Sequence, residues 1–428
     1  MADGDEGLRT RGGEALRGAS RREFVGMAAR LGAGAATTVL PLIASGRAYG
    51  SKPRRDASAS AGVKTESVAG AASLGAHGAA HGLLYGCALN MNALGADAAY
   101  AALVREQCRI VVAENAMKWG ALRPSAEGFN FDQADALVAF AESNRMKIRG
   151  HNLVWHQGNP KWLEATATKE NARELLATHI ETVAGRYAGR MHSWDVVNEA
   201  IRVEEGRADG LRNSLWLRLV GEDYIELAFK TAREADPQAL LTYNEYGIEP
   251  ETREGEQKRE AVIEMLRRMV ARRVPVDAVG VQSHIAASVA AGGVGAQVGA
   301  GLMRFIAAAR ELGLQVFITE MDVNDRALAA EIAGRDAAVA AAYKQYLELV
   351  LGDPAVRAVL TWGITDRYTW LGHEEGRADG KPERPLLFDA AGKAKASFYA
   401  VRDAFDQRGQ NRTSAAKAAE QERHLWHG

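Results

Sequence analysis

Between about residue 83 and residue 405 the chain alternates two patterns. Short apolar runs, rich in β-branched residues, are separated by longer stretches whose apolar positions recur every three to four residues. The short runs fall at 83–89, 110–113, 147–150, 193–198, 240–244, 278–282, 316–320 and 359–362. Successive starts lie roughly 25 to 50 residues apart, which leaves room for a strand, a helix and two loops in each unit. In the longer stretches Ile225, Ala228, Phe229 and Ala232 keep helical spacing ahead of Pro237. Val262, Ile263, Leu266, Met269 and Val270 do the same ahead of Pro275, and each set leaves one apolar face to pack inward. Eight such units predict an α/β chain folded as a single (β/α)8 TIM barrel.

At the carboxyl end of almost every run the pattern breaks into polar residues. The second run is followed by Glu114-Asn115-Ala116-Met117-Lys118-Trp119, the third by His151 and then Trp155-His156, and the fourth closes on Asn198-Glu199. Further on come Tyr243-Asn244-Glu245-Tyr246, Gln282-Ser283-His284 and Thr319-Glu320-Met321-Asp322, and finally Trp362 with Asp366 and Trp370 behind it. One isolated Asn-Glu pair is more often a solvated strand end than a site. Recurrence at seven ends is different, because a barrel gathers all of them around one cavity. A doubly wound sheet, the rival architecture, gives no reason for it.

The flanks read differently from the barrel. The first 48 residues carry Ser20-Arg21-Arg22-Glu23-Phe24 ahead of an Ala/Gly-rich, weakly apolar stretch, the pattern of a twin-arginine export signal. Arg30 and the glycines make that stretch too polar and interrupted for a membrane span. A cut near Ala48 removes seven Arg and five acids and leaves a mildly acidic product in the periplasm or outside the cell. Residues 49–80 are rich in Ala, Gly and Ser and are expected to be a flexible linker; 81–407 form the barrel and 408–428 a polar tail.

Composition narrows the partners. With Lys+Arg 53 against Asp+Glu 54, the net charge is -1, so no basic surface recommends nucleic acid or an anionic membrane to the mature chain. Cys87 and Cys108 cannot build a disulfide framework and sit in no metal-ligand spacing, so both are expected to be buried, unpaired thiols.

Glu199 and Glu320, at the ends of the fourth and seventh runs, face each other across the barrel mouth. Two carboxylates across a cleft are the minimum set for cutting a glycosidic bond, one protonating the leaving oxygen and the other attacking the anomeric carbon or activating water. The acid needs a raised pKa while a nucleophile stays ionised. The topology puts His284 where it can hydrogen-bond Glu320 and keep it charged, and Asn198 where it can donate to a sugar 2-hydroxyl. Trp362 and Trp370 suit stacking on sugar faces. Against these stand blander roles, His156 holding a loop and Asp322 anchoring a turn. A metal-dependent hydrolase built on the histidines and Asp366 is disfavoured because no HxH pair follows the first run.

The segments Arg149 to His156, Trp194 to Ala200, Gln282-Ser283-His284, Ile318 to Val323 and Thr361-Trp362-Gly363, in this order and on these runs, resemble glycoside hydrolase family 10, the retaining endo-1,4-β-xylanases, from about Leu83 to Phe405. The resemblance implies endo-hydrolysis of β-1,4-xylosidic bonds in xylan or xylooligosaccharides by double displacement, with Glu199 as acid/base, Glu320 as nucleophile, and Asn198 and His284 in support. By the same resemblance Glu114, Asn115, Lys118, His151, Trp155, Gln282, Trp362 and Trp370 line the glycone side, with no metal or other cofactor, in what is expected to be a monomer. The alternatives are a β-1,4-glucanase on the same scaffold and a catalytically silent carbohydrate-binding barrel. Departures from the family pattern are Gly158, where glutamine is usual, and Glu245 and Gly247, where Asp and Asn are commoner. The polar segment 372–384 is expected to be a mobile loop over the cleft.

Overall fold

The computed structural model describes residues 67–287, 298–373 and 376–409. Eight parallel strands close on themselves: β1 (Leu84–Leu89), β2 (Ile110–Ala113), β3 (Lys147–Trp155), β4 (Ser193–Asn198), β5 (Leu240–Glu245), β6 (Ala278–Val281), β8 (Gln315–Asn324) and β9 (Val356–Thr361). β6 pairs with β8 and β9 returns to β1, so these eight strands form a closed (β/α)8 barrel. A three-residue strand, β7 (His284–Ala286), adds to β8 above the barrel rim.

The strands are apolar on both faces because both are covered. The inward layer holds Ala88, Ile110, Val112, Ala278, Phe317, Ala358 and Leu360, while Tyr85, Cys87, Trp194, Val196 and Val279 turn outward against the helices. Gly150 is required on that outer side: a Cβ there would stand 2.0 Å from Cε3 of Trp194. The predicted helical faces are buried as expected. Ile225, Ala228, Phe229 and Ala232 lie on helix Tyr224–Ala235. Val262, Ile263, Leu266 and Met269 lie on Arg253–Ala271, whose first turn is capped by the Thr252 hydroxyl accepting from Gly255 N at 3.1 Å. Cys87 and Cys108 are free and buried, Sγ to Sγ 3.5 Å.

Four expectations change. Leu74–Ala80, read as linker, is a helix capped by Ser73, with Leu74 packed in the core; its Ala/Gly composition conceals a single apolar anchor. At the other end the last helix runs over 396–409, and Arg408 donates to Val356 O at 2.7 Å inside the fold. β3 and β8 reach further than the apolar runs did, because their polar upper halves still pair in the sheet. Finally, 376–384 is tied down rather than loose. Arg377 donates to Leu328 O at 2.9 Å, Arg326 pairs with Glu383 at 2.5 Å, and Arg384 grips Asp336 with two bonds of 2.8 Å. The polar side chains of this segment, expected to form a mobile loop, find partners on neighbouring elements. The stretch read as an export signal lies outside the described residues; among them, no helix is long and apolar enough to cross a membrane.

Candidate active site

Glu199 follows the last residue of β4 and takes a left-handed backbone, φ 59°. That turn is rare for a residue with a Cβ. Its carboxylate is buried and accepts from Trp155 Nε1 at 2.8 Å on one oxygen, and from Gln282 Nε2 at 3.0 Å and Asn198 Nδ2 at 3.2 Å on the other. The His156 ring nitrogen lies 3.7 Å away.

Glu320, in the middle of β8, is equally buried but has a different neighbour. His284 Nε2 stands 3.2 Å from one oxygen, and its Nδ1 stands 3.0 Å from Asp322. Burial disfavours the protonated ring, but Asp322 and Glu320 outweigh it and push the His284 pKa from 6.5 up to about 10. At neutral pH the ring is therefore an imidazolium donating from both nitrogens, and a cation in contact favours the ionised form of Glu320. Asp322, for which anchoring a turn is the blander role, orients His284 and accepts from Trp370 Nε1 at 2.7 Å.

The two carboxylates are joined through amides. Asn244, from β5, donates to Glu320 at 2.8 Å and to Asn198 Oδ1 at 2.9 Å, and its own oxygen accepts from Thr319 at 2.8 Å. Space for it exists because residue 280 is glycine: a Cβ there would stand 2.2 Å from the Asn244 oxygen. With Gln282 also donating toward Asn198 at 3.3 Å, neither carboxylate can turn without disturbing the other.

The sequence-predicted lining residues join this set. Lys118 donates to Asn115 at 2.8 Å and lies 5.2 Å from the Trp155 ring; Asn115 donates to Glu114 at 3.3 Å. Trp362 meets His151 edge-on at 5.2 Å and His284 at 6.4 Å, and Trp370 meets His284 at 5.2 Å. Asp366 does not join them. It binds Lys395 at 2.9 Å and Leu386 N at 2.9 Å on the far side of its turn, so it is structural. Gly158 takes φ 70°, and its carbonyl accepts from Gly120 N at 2.8 Å; a glutamine there would need the same uncommon backbone. Among the described residues no cluster of His, Cys, Asp and Glu has the arrangement of a metal site.

Two features escaped the sequence. Asp195, inside the apolar run of β4, accepts from His151 Nδ1 at 2.8 Å and from Arg149 in a fully buried ion pair. Asn244 looked like one more polar strand end, and its bridging position depends on the register of β4, β5 and β8.

Residues 73–404 match the model of Glycosyl hydrolase family 10. The chain belongs to that family. Endo-1,4-beta-xylanase B of Thermotoga neapolitana is 35% identical over 312 residues, covering 72% of this chain and 84% of that relative. The Paenibacillus barcinonensis endo-1,4-beta-xylanase C is 32% identical but far longer, and this chain spans only 30% of it. An exoglucanase of Acetivibrio thermocellus is 34% identical over 333 residues, with 28% of its length covered. Of solved structures, xylanase 10B from Thermotoga maritima superposes with a TM-score of 0.70 at 33% identity, covering 79% of this chain and 99% of that one. The Thermotoga petrophila xylanase 10B in complex with xylobiose gives 0.69 at 33% identity, with 78% and 98% covered.

Proposed function

We propose that this family 10 protein is a retaining endo-1,4-β-xylanase, exported through its twin-arginine leader, with Glu320 as nucleophile and Glu199 as acid/base. The observation that carries the division of roles is the difference in direct hydrogen-bond partners of two equally buried carboxylates: an imidazolium on Glu320, an indole N–H and an amide on Glu199. In the first step a Glu320 oxygen attacks the anomeric carbon while the Glu199 proton passes to the departing glycosidic oxygen. In the second, Glu199 takes a proton from water, which attacks the same carbon and frees Glu320 with net retention. Developing positive charge on the sugar ring is offset by Glu320.

Support for xylan as substrate comes from the xylanase relatives and the xylobiose complex of the Thermotoga petrophila structure. The exoglucanase relative makes β-1,4-glucan the alternative worth separating. Purified protein is expected to release xylooligosaccharides from xylan, with the β-anomer appearing first in the proton NMR spectrum, and to cleave an aryl xylobioside faster than the aryl cellobioside. A first-formed α-anomer would overturn the double displacement; a faster cellobioside would overturn the substrate. Export is tested by changing both Arg21 and Arg22 to Lys, which should leave the protein inside the cell.

A further inference from the structure

Four buried side chains behind Glu199, Glu245, Lys258, Tyr243 and Arg212, have no part in the mechanism above. Glu245, at the end of β5, is fully buried, and one of its oxygens lies 2.9 Å from Lys258 Nζ, itself buried on helix Arg253–Ala271. The other oxygen accepts from Ile201 N at 3.1 Å and from the hydroxyl of Tyr243. That hydroxyl in turn accepts from Ala200 N at 3.1 Å. Arg212 closes the far side, its Nε donating to Glu199 O at 2.8 Å and its Nη2 to the Tyr246 hydroxyl at 2.8 Å, while Lys258 lies 3.6 Å over the Tyr246 ring.

Taken together, these groups account for the backbone polar atoms of the segment that carries the acid/base. Glu199 N bonds Asn244 O at 2.9 Å, Glu199 O is held by Arg212, Ala200 N by Tyr243, Ala200 O by Arg212 N at 2.7 Å, and Ile201 N by Glu245. A left-handed residue with a Cβ persists only where its surroundings over-determine it. A buried ion pair is a weak source of stability, since desolvation offsets its attraction, so its presence here calls for another role.

We propose that Glu245, locked by Lys258 and acting with Tyr243 through the 200–201 backbone, is a positioning residue that aims the Glu199 carboxyl at the leaving-group oxygen. The inference rests on Glu199 being the acid. Glu245 touches no reacting atom, so its effect is confined to steps that need the Glu199 proton.

Leaving groups of different acidity isolate that step. A dinitrophenyl xylobioside departs without protonation, whereas a phenyl xylobioside needs it, and kcat/KM reports the glycosylation step for both. Misplacing a catalytic group by about 1 Å can cost on the order of 100-fold. Glu245→Gln is therefore expected to lower kcat/KM on the phenyl substrate by about 10- to 100-fold and to leave the dinitrophenyl value nearly unchanged. Tyr243→Phe, which removes one hydroxyl from a core ring, should show the same selectivity on a smaller scale and decides the matter if Glu245→Gln does not fold. Equal losses on both substrates, or no loss on either, would overturn the clamp. Glu199→Ala measured alongside keeps the two ideas apart: if it shows no leaving-group selectivity, the acid assignment itself is wrong.

Discussion

The surroundings of Glu320 and of Glu199 use the same materials to different ends. Both carboxylates are buried at the same barrel mouth, and each accepts from a neighbouring amide at 2.8 to 3.0 Å. Glu320 has in addition a formal cation on its second oxygen, whereas Glu199 has an indole N–H there. Glu320 belongs to the continuous strand β8, and Glu199 sits just past β4 on a left-handed turn fixed from behind. A nucleophile needs permanent charge and a fixed place. An acid/base must hold and release a proton, so neutral donors and an independently held backbone suit it.

The largest break in that comparison comes from removing one carboxylate at a time. Glu320→Ala should lose on the order of 10⁴- to 10⁶-fold in kcat on every substrate, whatever its leaving group. Glu199→Ala should lose about 10²- to 10⁴-fold on xylan and phenyl xylobioside, and much less in kcat/KM on the dinitrophenyl substrate. Indistinguishable leaving-group profiles for the two variants would erase the difference.

Removing the cation is the next test. His284→Gln keeps a donor near Glu320 but no charge, and should cost about 100- to 1000-fold in kcat/KM, in the range of one preorganised electrostatic partner. A pH effect on stability accompanies it. The folded-state pKa of His284 is raised from 6.5 to about 10, so its contribution to stability is fully present below pH 6.5 and is lost as pH rises toward 10. Melting temperatures from pH 6 to pH 10 should fall more steeply for the wild type than for His284→Gln. The smallest effect is expected on the other side of the site. Trp155→Phe deletes a donor that favours ionised Glu199, so the variant should hold its proton longer and the alkaline limb of kcat/KM should move to higher pH, by about one unit or less. A shift to lower pH would mean the indole acts on Glu199 in some other way.

Much of this architecture was legible because a barrel strand announces itself as a buried apolar run and its carboxyl end as a sudden break. Glu199 and Glu320 stand at such breaks, as do Gln282 and His284. What stayed hidden needs the third dimension. Asp195 lies within an apolar run and has meaning only once Arg149 and His151 are seen on the neighbouring strand. The bridging role of Asn244 follows from the register that sets Asn198 opposite it. Lys258 is one more cation on a highly charged helix until its tip is found against Glu245. Composition misled at two places, the helix Leu74–Ala80 and the ion-paired segment 376–384, because Ala/Gly content and polarity say little about which side chains find partners.

The division of labour between the two carboxylates is tested most directly by trapping the glycosyl-enzyme. A 2-deoxy-2-fluoro xylobioside with a dinitrophenyl leaving group slows both steps by destabilising positive charge on the ring, but the good leaving group lets the covalent intermediate form and accumulate. Peptide mapping of the inactivated protein by mass spectrometry should then find the fluoroxylobiosyl mass on the peptide that contains Glu320, and no label in the Glu320→Ala variant. A label on Glu199, or none despite time-dependent inactivation, would contradict the assignment.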